Sequence, residues 1–119
     1  MELLIDTTQK GILIFQLLDQ KDQVVRQFNK HIEQLSEAIL LELEKFLKNQ
    51  KVVPRDLKKI FVNPGPGAFS STRTGVATAN AFAYALGIPV AIWPSGRLKQ
   101  VVLPKYGKEP NITKPKPVL

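Results

Sequence analysis

The sequence predicts a single α/β domain: a mixed five-stranded sheet in the order β-β-β-α-β-α-β, with its helices packed on it. Three observations predict it. Three apolar runs are separated by very short connections, helical periodicity takes over after residue 31, and a glycine- and proline-rich turn joins another apolar run to a second helix. At 119 residues, 44% hydrophobic and 23% charged, the composition is that of one globular unit with one core, and a second full domain does not fit.

Residues 2–6, 11–18 and 23–28 make the first three strands, linked by Thr7-Thr8-Gln9-Lys10 and Asp19-Gln20-Lys21-Asp22. A parallel neighbour would need a crossover of about a dozen residues, so these linkers imply a three-stranded antiparallel meander. From His31 to about Lys48, the residues Ile32, Leu35, Ile39, Leu43 and Phe46 recur at three- and four-residue steps, and Leu40 and Leu47 widen the stripe. That spacing is an amphipathic helix lying on the sheet, with Glu33, Glu37, Glu44, Lys45 and Lys48 as its solvated face.

Ile60-Phe61-Val62-Asn63 is the fourth strand, stopped by Pro64-Gly65-Pro66-Gly67, where prolines lack the ladder donor and glycines permit unusual dihedrals. Ser70, Ser71 and Thr72 are candidate N-caps of the second helix, which runs to Leu86 and stops at Gly87 with Pro89 beyond. Gly75, Ala79 and Ala83 lie four apart, as do Ala77, Ala81 and Ala85. Two such stripes admit close backbone approach on both sides, to the helix's own sheet and to a second helix. Pro89 to Trp93 is the fifth strand. The pattern then weakens amid Pro104, Pro110, Pro115 and Pro117, so the predicted division is a lobe over 1–95 and a basic, proline-rich tail over 96–119 with one short strand at Gln100–Leu103.

Composition excludes several chemistries. Without cysteine there are no disulfides, thiolate metal sites or cysteine nucleophiles, and His31 has no second histidine to complete a metal set. A serine triad would require His31 to meet a serine on another element, and nothing in the sequence asks for that. Met1 to Asp6 has no basic leader character, and no run approaches the roughly 18 apolar residues of a membrane span, so a cytoplasmic location is expected. The net charge of +7 is uneven: residues 1–56 hold nine acids and eight bases, residues 57–119 one acid and nine bases. A basic half of this kind favours phosphate-rich or acidic partners.

The predicted element order is that of a ribonuclease-H-like sheet, the unit duplicated in actin-like (ASKHA) proteins, and it carries no function by itself. Asp6-Thr7-Thr8 could hold a metal or a phosphate, but a nuclease of this fold needs several carboxylates on two metal ions, and the fourth strand ends in Asn63. An Asx turn is the simpler reading. The turn containing Gly65, Gly67, Ser70 and Ser71 leads into a helix N-terminus, where free N–H groups favour an anion, and it lacks both the Walker lysine and the GxGxxG spacing.

Residues Asn63 to Ala79, together with Ala83-Tyr84-Ala85-Leu86-Gly87-Ile88-Pro89-Val90, resemble the TsaB (YeaZ) family, whose members show a GPGSFTGLRIG-A-A segment and an ALGIP turn at this place. Ile5-Asp6-Thr7-Thr8 is similar to the family's opening strand, and His31 to the histidine that begins its first helix. The likeness runs from residue 1 to about Ser95, and Pro104 to Lys116 is similar to family C-termini. Nearly the whole second actin-like lobe has no counterpart, so the chain reads as a shortened form.

The resemblance implies a non-catalytic subunit that supports threonylcarbamoyl transfer to adenosine 37 of tRNA by binding a TsaD-like transferase. A TsaE-like ATPase belongs to the implied complex, homodimers are a second pairing, and tRNA contact is indirect or weak. The implied pairing surface is the helix faces with His31, Leu35, Arg73, Gly75, Val76, Ala79, Asn80 and Ala83. No cofactor and no catalytic residue is assigned. Ala68, Ser71 and Thr72 depart from the usual loop, and without a second lobe no cleft would clamp ATP. A small basic RNA-binding module, using the second half with Lys114 and Lys116, is the alternative, and a residual metal or nucleotide enzyme built on Asp6 is a third reading.

Overall fold

The computed structural model describes residues 1–99 and 101–105. Strands β1 (Glu2–Asp6), β2 (Ile12–Leu18) and β3 (Val24–His31) form the expected antiparallel meander, with Leu3 opposite Leu17 and Phe15 opposite Phe28. Strand β4 (Lys59–Val62) lies parallel to β1, β5 (Val90–Ile92) parallel to β4, and β6 (Arg97–Lys99) antiparallel to β5. The resulting order is β3-β2-β1-β4-β5-β6. Helix α1 (Leu35–Asn49) carries the chain from the sheet edge to β4, and α2 (Phe69–Leu86) makes the crossover that the parallel pair β4 and β5 requires.

Four boundaries differ from the sequence reading. Among the described residues the sheet has six strands rather than five, because Trp93 to Gly96 turns the chain back and β6 pairs with β5. This short strand precedes the segment 100–103, where one was expected. His31 ends β3 instead of opening a helix: the next residue, Ile32, donates its N–H to Gly11 O at 2.8 Å and prolongs the ladder. An edge strand exposed along nearly its whole length shows no period-two pattern, which is why its end escaped notice. Helix α2 begins at Phe69, so Ser70, Ser71 and Thr72 sit inside its first turn, and the N-cap is Ala68, whose side chain can cap nothing. The tail from Tyr106 onward, with Lys114 and Lys116, lies outside the described residues.

Alternation along the strands divides the core. Leu3 and Ile5 of β1, Leu13, Phe15 and Leu17 of β2, and Ile60 and Val62 of β4 point to the face covered by both helices. There Ile39, Leu43, Phe46 and Leu47 of α1 and Val76, Ala79 and Ala83 of α2 meet them. Phe15, Phe28 and Phe46 form a triad with ring centres 5.7–5.8 Å apart, a spacing that favours aromatic pairs. Lys30 of β3 reaches the buried Glu42 of α1 at 2.8 Å and fastens the helix to the sheet edge. On the opposite face Leu4, Leu18, Phe61 and Ala91 form a second, smaller cluster with Trp93 against it. The parallel strands read as unbroken apolar runs because both of their faces are buried. Among the described residues no helix is long and apolar enough to cross a membrane.

Candidate functional site

The ends of β1 and β4 are tied together by side chains. Asp6 Oδ1 accepts the Thr8 N–H at 2.9 Å and the Thr8 hydroxyl at 2.7 Å, while Asp6 Oδ2 accepts from Asn63 Nδ2 at 3.1 Å. Asn63 Oδ1 in turn accepts the Gly65 N–H at 3.1 Å. The carboxylate is thus engaged by three donors in an Asx turn, and among the described residues no group of three or more histidines, cysteines or acids stands ready to hold a metal ion.

The glycines of the following turn are required by close approach. A Cβ on Gly67 would lie 2.6 Å from Thr8 Cβ, and the neighbouring Ala68 N–H donates to Thr8 O at 2.8 Å. Gly65 has φ +97°, and a side chain there would run into the carbonyl of Lys105, whose own N–H donates to Pro64 O at 2.5 Å. Both glycines therefore face neighbouring backbone of this chain.

Helix α2 sorts the predicted partner residues. Gly75 is packed against Thr7, where any Cβ would collide with the threonine side chain, and the Thr7 hydroxyl donates to Ser71 O at 2.5 Å. Val76, Ala79 and Ala83 are buried in the core under the sheet's helical face. These four form no outer surface: the small-residue stripe through Gly75 is the one by which the helix meets its own sheet. Asn80 is occupied too, accepting the Val102 N–H at 2.9 Å and donating to Val102 O at 2.8 Å. Arg73 is exposed, its guanidinium 5.8 Å from the Phe69 ring centre.

His31, Leu35, Ser70 and Ser71 are brought together. They line a groove of about 970 Å³ between the start of α1 and the start of α2, with Lys10 and Thr74 beside them. His31 thus reaches this region from the end of β3, not from a helix face.

The outer surface of the helix pair is carried by residues that the sequence reading passed over. Leu40 is 64% exposed, Leu41 53% and Tyr84 90%. Between α1 and the half-buried Phe82 of α2 runs a groove of about 720 Å³ that also touches Leu47 and Val53. The signal was available: Ile39-Leu40-Leu41 is more apolar than a single buried stripe needs, and Leu40 read as a widening of that stripe.

The matching family model is TsaD, tRNA N6-adenosine threonylcarbamoyltransferase, over residues 28–94. The chain is 30% identical over 90 residues to the tRNA threonylcarbamoyladenosine biosynthesis protein TsaB of Bacillus subtilis, covering 75% of this chain and 38% of that protein. It is 40% identical over 62 residues to the tRNA N6-adenosine threonylcarbamoyltransferase of Geotalea uraniireducens, covering 52% of this chain and 17% of that one. YeaZ from Pseudomonas aeruginosa superposes with a TM-score of 0.67 at 24% identity, over 76% of this chain and 42% of that structure, which establishes the ribonuclease-H-like fold. The chain spans less than half the length of each.

Proposed function

The chain belongs to the TsaD/TsaB family as a TsaB-like member, and on that premise we propose that it serves threonylcarbamoyladenosine formation in tRNA as a non-catalytic subunit that docks on a TsaD-like transferase. The observation that carries this reading is the apolar groove between α1 and α2, bordered by the exposed Leu40 and Val53 and the half-buried Phe82. Exposed apolar side chains bordering such a groove mark a binding surface, and Tyr84, on the side of α2 turned away from the groove, adds an exposed aromatic of the kind that anchors interfaces. A stable interface takes roughly 800 Å² from each partner, which two adjacent helices of this length can supply.

The test is size-exclusion chromatography with light scattering of the chain alone and mixed with the TsaD-like transferase of the same organism. A one-to-one complex that Leu40→Glu abolishes supports docking through this surface. Two separate peaks at micromolar concentration overturn it. A homodimer of the free chain that dissolves on mixing would place both pairings on one surface.

One observation favours the RNA-binding alternative: Arg97 and Lys99 stand two apart on exposed β6, so both side chains leave the same side of the strand. That reading expects tRNA retention that falls steeply with salt. Salt-independent or absent retention removes it.

A further inference from the structure

Both helices end in the same hydrogen-bonded turn. In α1 the Lys51 N–H donates to Lys48 O at 3.0 Å and the Val52 N–H to Leu47 O at 2.9 Å. In α2 the Gly87 N–H donates to Tyr84 O at 3.1 Å and the Ile88 N–H to Ala83 O at 3.0 Å. This pattern places a left-handed residue just past the helix, and glycine is its usual occupant. At position 87 the chain has that glycine, with φ +67° and open space where a Cβ would stand, so it is there for its backbone alone. At position 51 the same backbone, φ +57°, is held by a lysine, whose Cβ crowds the carbonyl oxygen in this conformation. A side chain kept where glycine fits better points to a use for that side chain.

Resting on the docking reading above, we propose that Lys51 is a specificity-determining residue of the groove between α1 and α2: beside Lys48, it receives a carboxylate of the TsaD-like transferase. Lys48 and Lys51 are both exposed and both line this groove of about 720 Å³. Among the described residues the ion pairs are Lys30 with Glu42 and Lys59 with Glu2, so neither lysine is neutralised by an acid of this chain. Lys48 stands in the last turn of α1, where a cation complements the carbonyl end of the helix; Lys51 lies past that turn. Glu44, one turn before Lys48, is the single acid among the described lining residues, so the end of the groove at the C-terminus of α1 is positive. Leu40, Leu43, Leu47 and Phe82 make the rest of it apolar. The matching occupant is an amphipathic helix of the transferase, its apolar face in the groove and an aspartate or glutamate over the two lysines. A charge pair at such a rim selects the partner and fixes its register.

Calorimetric titration of the chain with the transferase at low and high salt, beside thermal melting of the free chain, tests this. Lys51→Gly should raise the melting temperature, since glycine suits the turn, and yet weaken the complex about threefold, while Lys51→Glu should weaken it about tenfold. Lys51→Arg, which keeps the charge, should bind as the parent does. The loss of affinity with rising salt should be shallower in Lys51→Gly than in the parent. Parent-like affinity and salt dependence in Lys51→Gly overturn the assignment but leave docking through the groove standing, because Leu40→Glu tests that separately. Equal weakening in Lys51→Arg and Lys51→Gly also overturns it, since charge would then not be what is recognised. A parent chain that forms no complex with the transferase removes the docking reading and this assignment together.

Discussion

Helix α2 carries two stripes of small residues with the same four-residue spacing, and the fold uses them in opposite ways. Gly75, Ala79 and Ala83 are pressed against β1 and its neighbours, whereas Ala77, Ala81 and Ala85 face solvent. Spacing identifies a surface that permits close approach; it does not say what approaches. What selects the inner stripe here is Thr7, which leaves no room for a side chain at position 75. The outer stripe adjoins Tyr84, which stands 90% exposed on that side of the helix, the side left open to the docking proposed above.

The largest expected effect separates the two stripes directly. Gly75→Val should destabilise the fold by about 3 kcal/mol through overpacking against Thr7, whereas Ala81→Val should cost about 0.5 kcal/mol, the difference in helix propensity. Urea denaturation of the two variants measures both, and equal losses would erase the distinction. Next in size, Tyr84→Ala should weaken the complex with the TsaD-like transferase by about tenfold, or ~1.4 kcal/mol, while shifting stability by less than about 0.5 kcal/mol. Calorimetric titration beside thermal melting checks that split.

A smaller effect sharpens the boundary between the faces. Ala68→Ser supplies the missing side-chain cap and should stabilise by about 0.5–1 kcal/mol, read as a raised melting temperature. The smallest belongs to the opposite side of the sheet. Burial raises the Glu2 carboxyl above its usual range, the neighbouring Asp22 adds to the rise and Lys59 opposes it. A carboxyl with a raised folded value contributes its stability below the unfolded value and loses it as pH climbs through the folded one. Glu2→Gln should therefore be more stable than the parent at neutral pH and no different in acid. A pH series of melting curves tests the sign.

Much of the architecture was legible in the chain because it follows from local constraints. Four-residue linkers force hairpins, the spacing from Leu35 to Phe46 forces one helix face inward, and Pro64 to Gly67 forces a break. The site was less legible for three physical reasons. His31 lies on an edge strand whose side chains are solvated on both faces, so nothing periodic marks its end. Ser70, Ser71 and Thr72 offered caps, but the helix starts before them, and the buried Thr72 hydroxyl has no hydrogen-bond partner among the described residues. Gly75 looked like an interface residue because its neighbour, Thr7, is far away in sequence and is brought to it only by the parallel placement of β1 and β4.

Thr7 and Thr8 stand between two glycines, Gly67 touching Thr8 and Gly75 touching Thr7. Evolutionary drift at positions 7 and 75 is therefore coupled: a lineage can enlarge position 75 only after position 7 has shrunk. At position 67 the obstacle includes the Thr8 backbone, which no substitution at position 8 removes. Among relatives of this fold positions 7 and 75 should vary as a linked pair while position 67 stays glycine, a signature by which the opening strand and the second helix could be matched in sequences too divergent to align by identity.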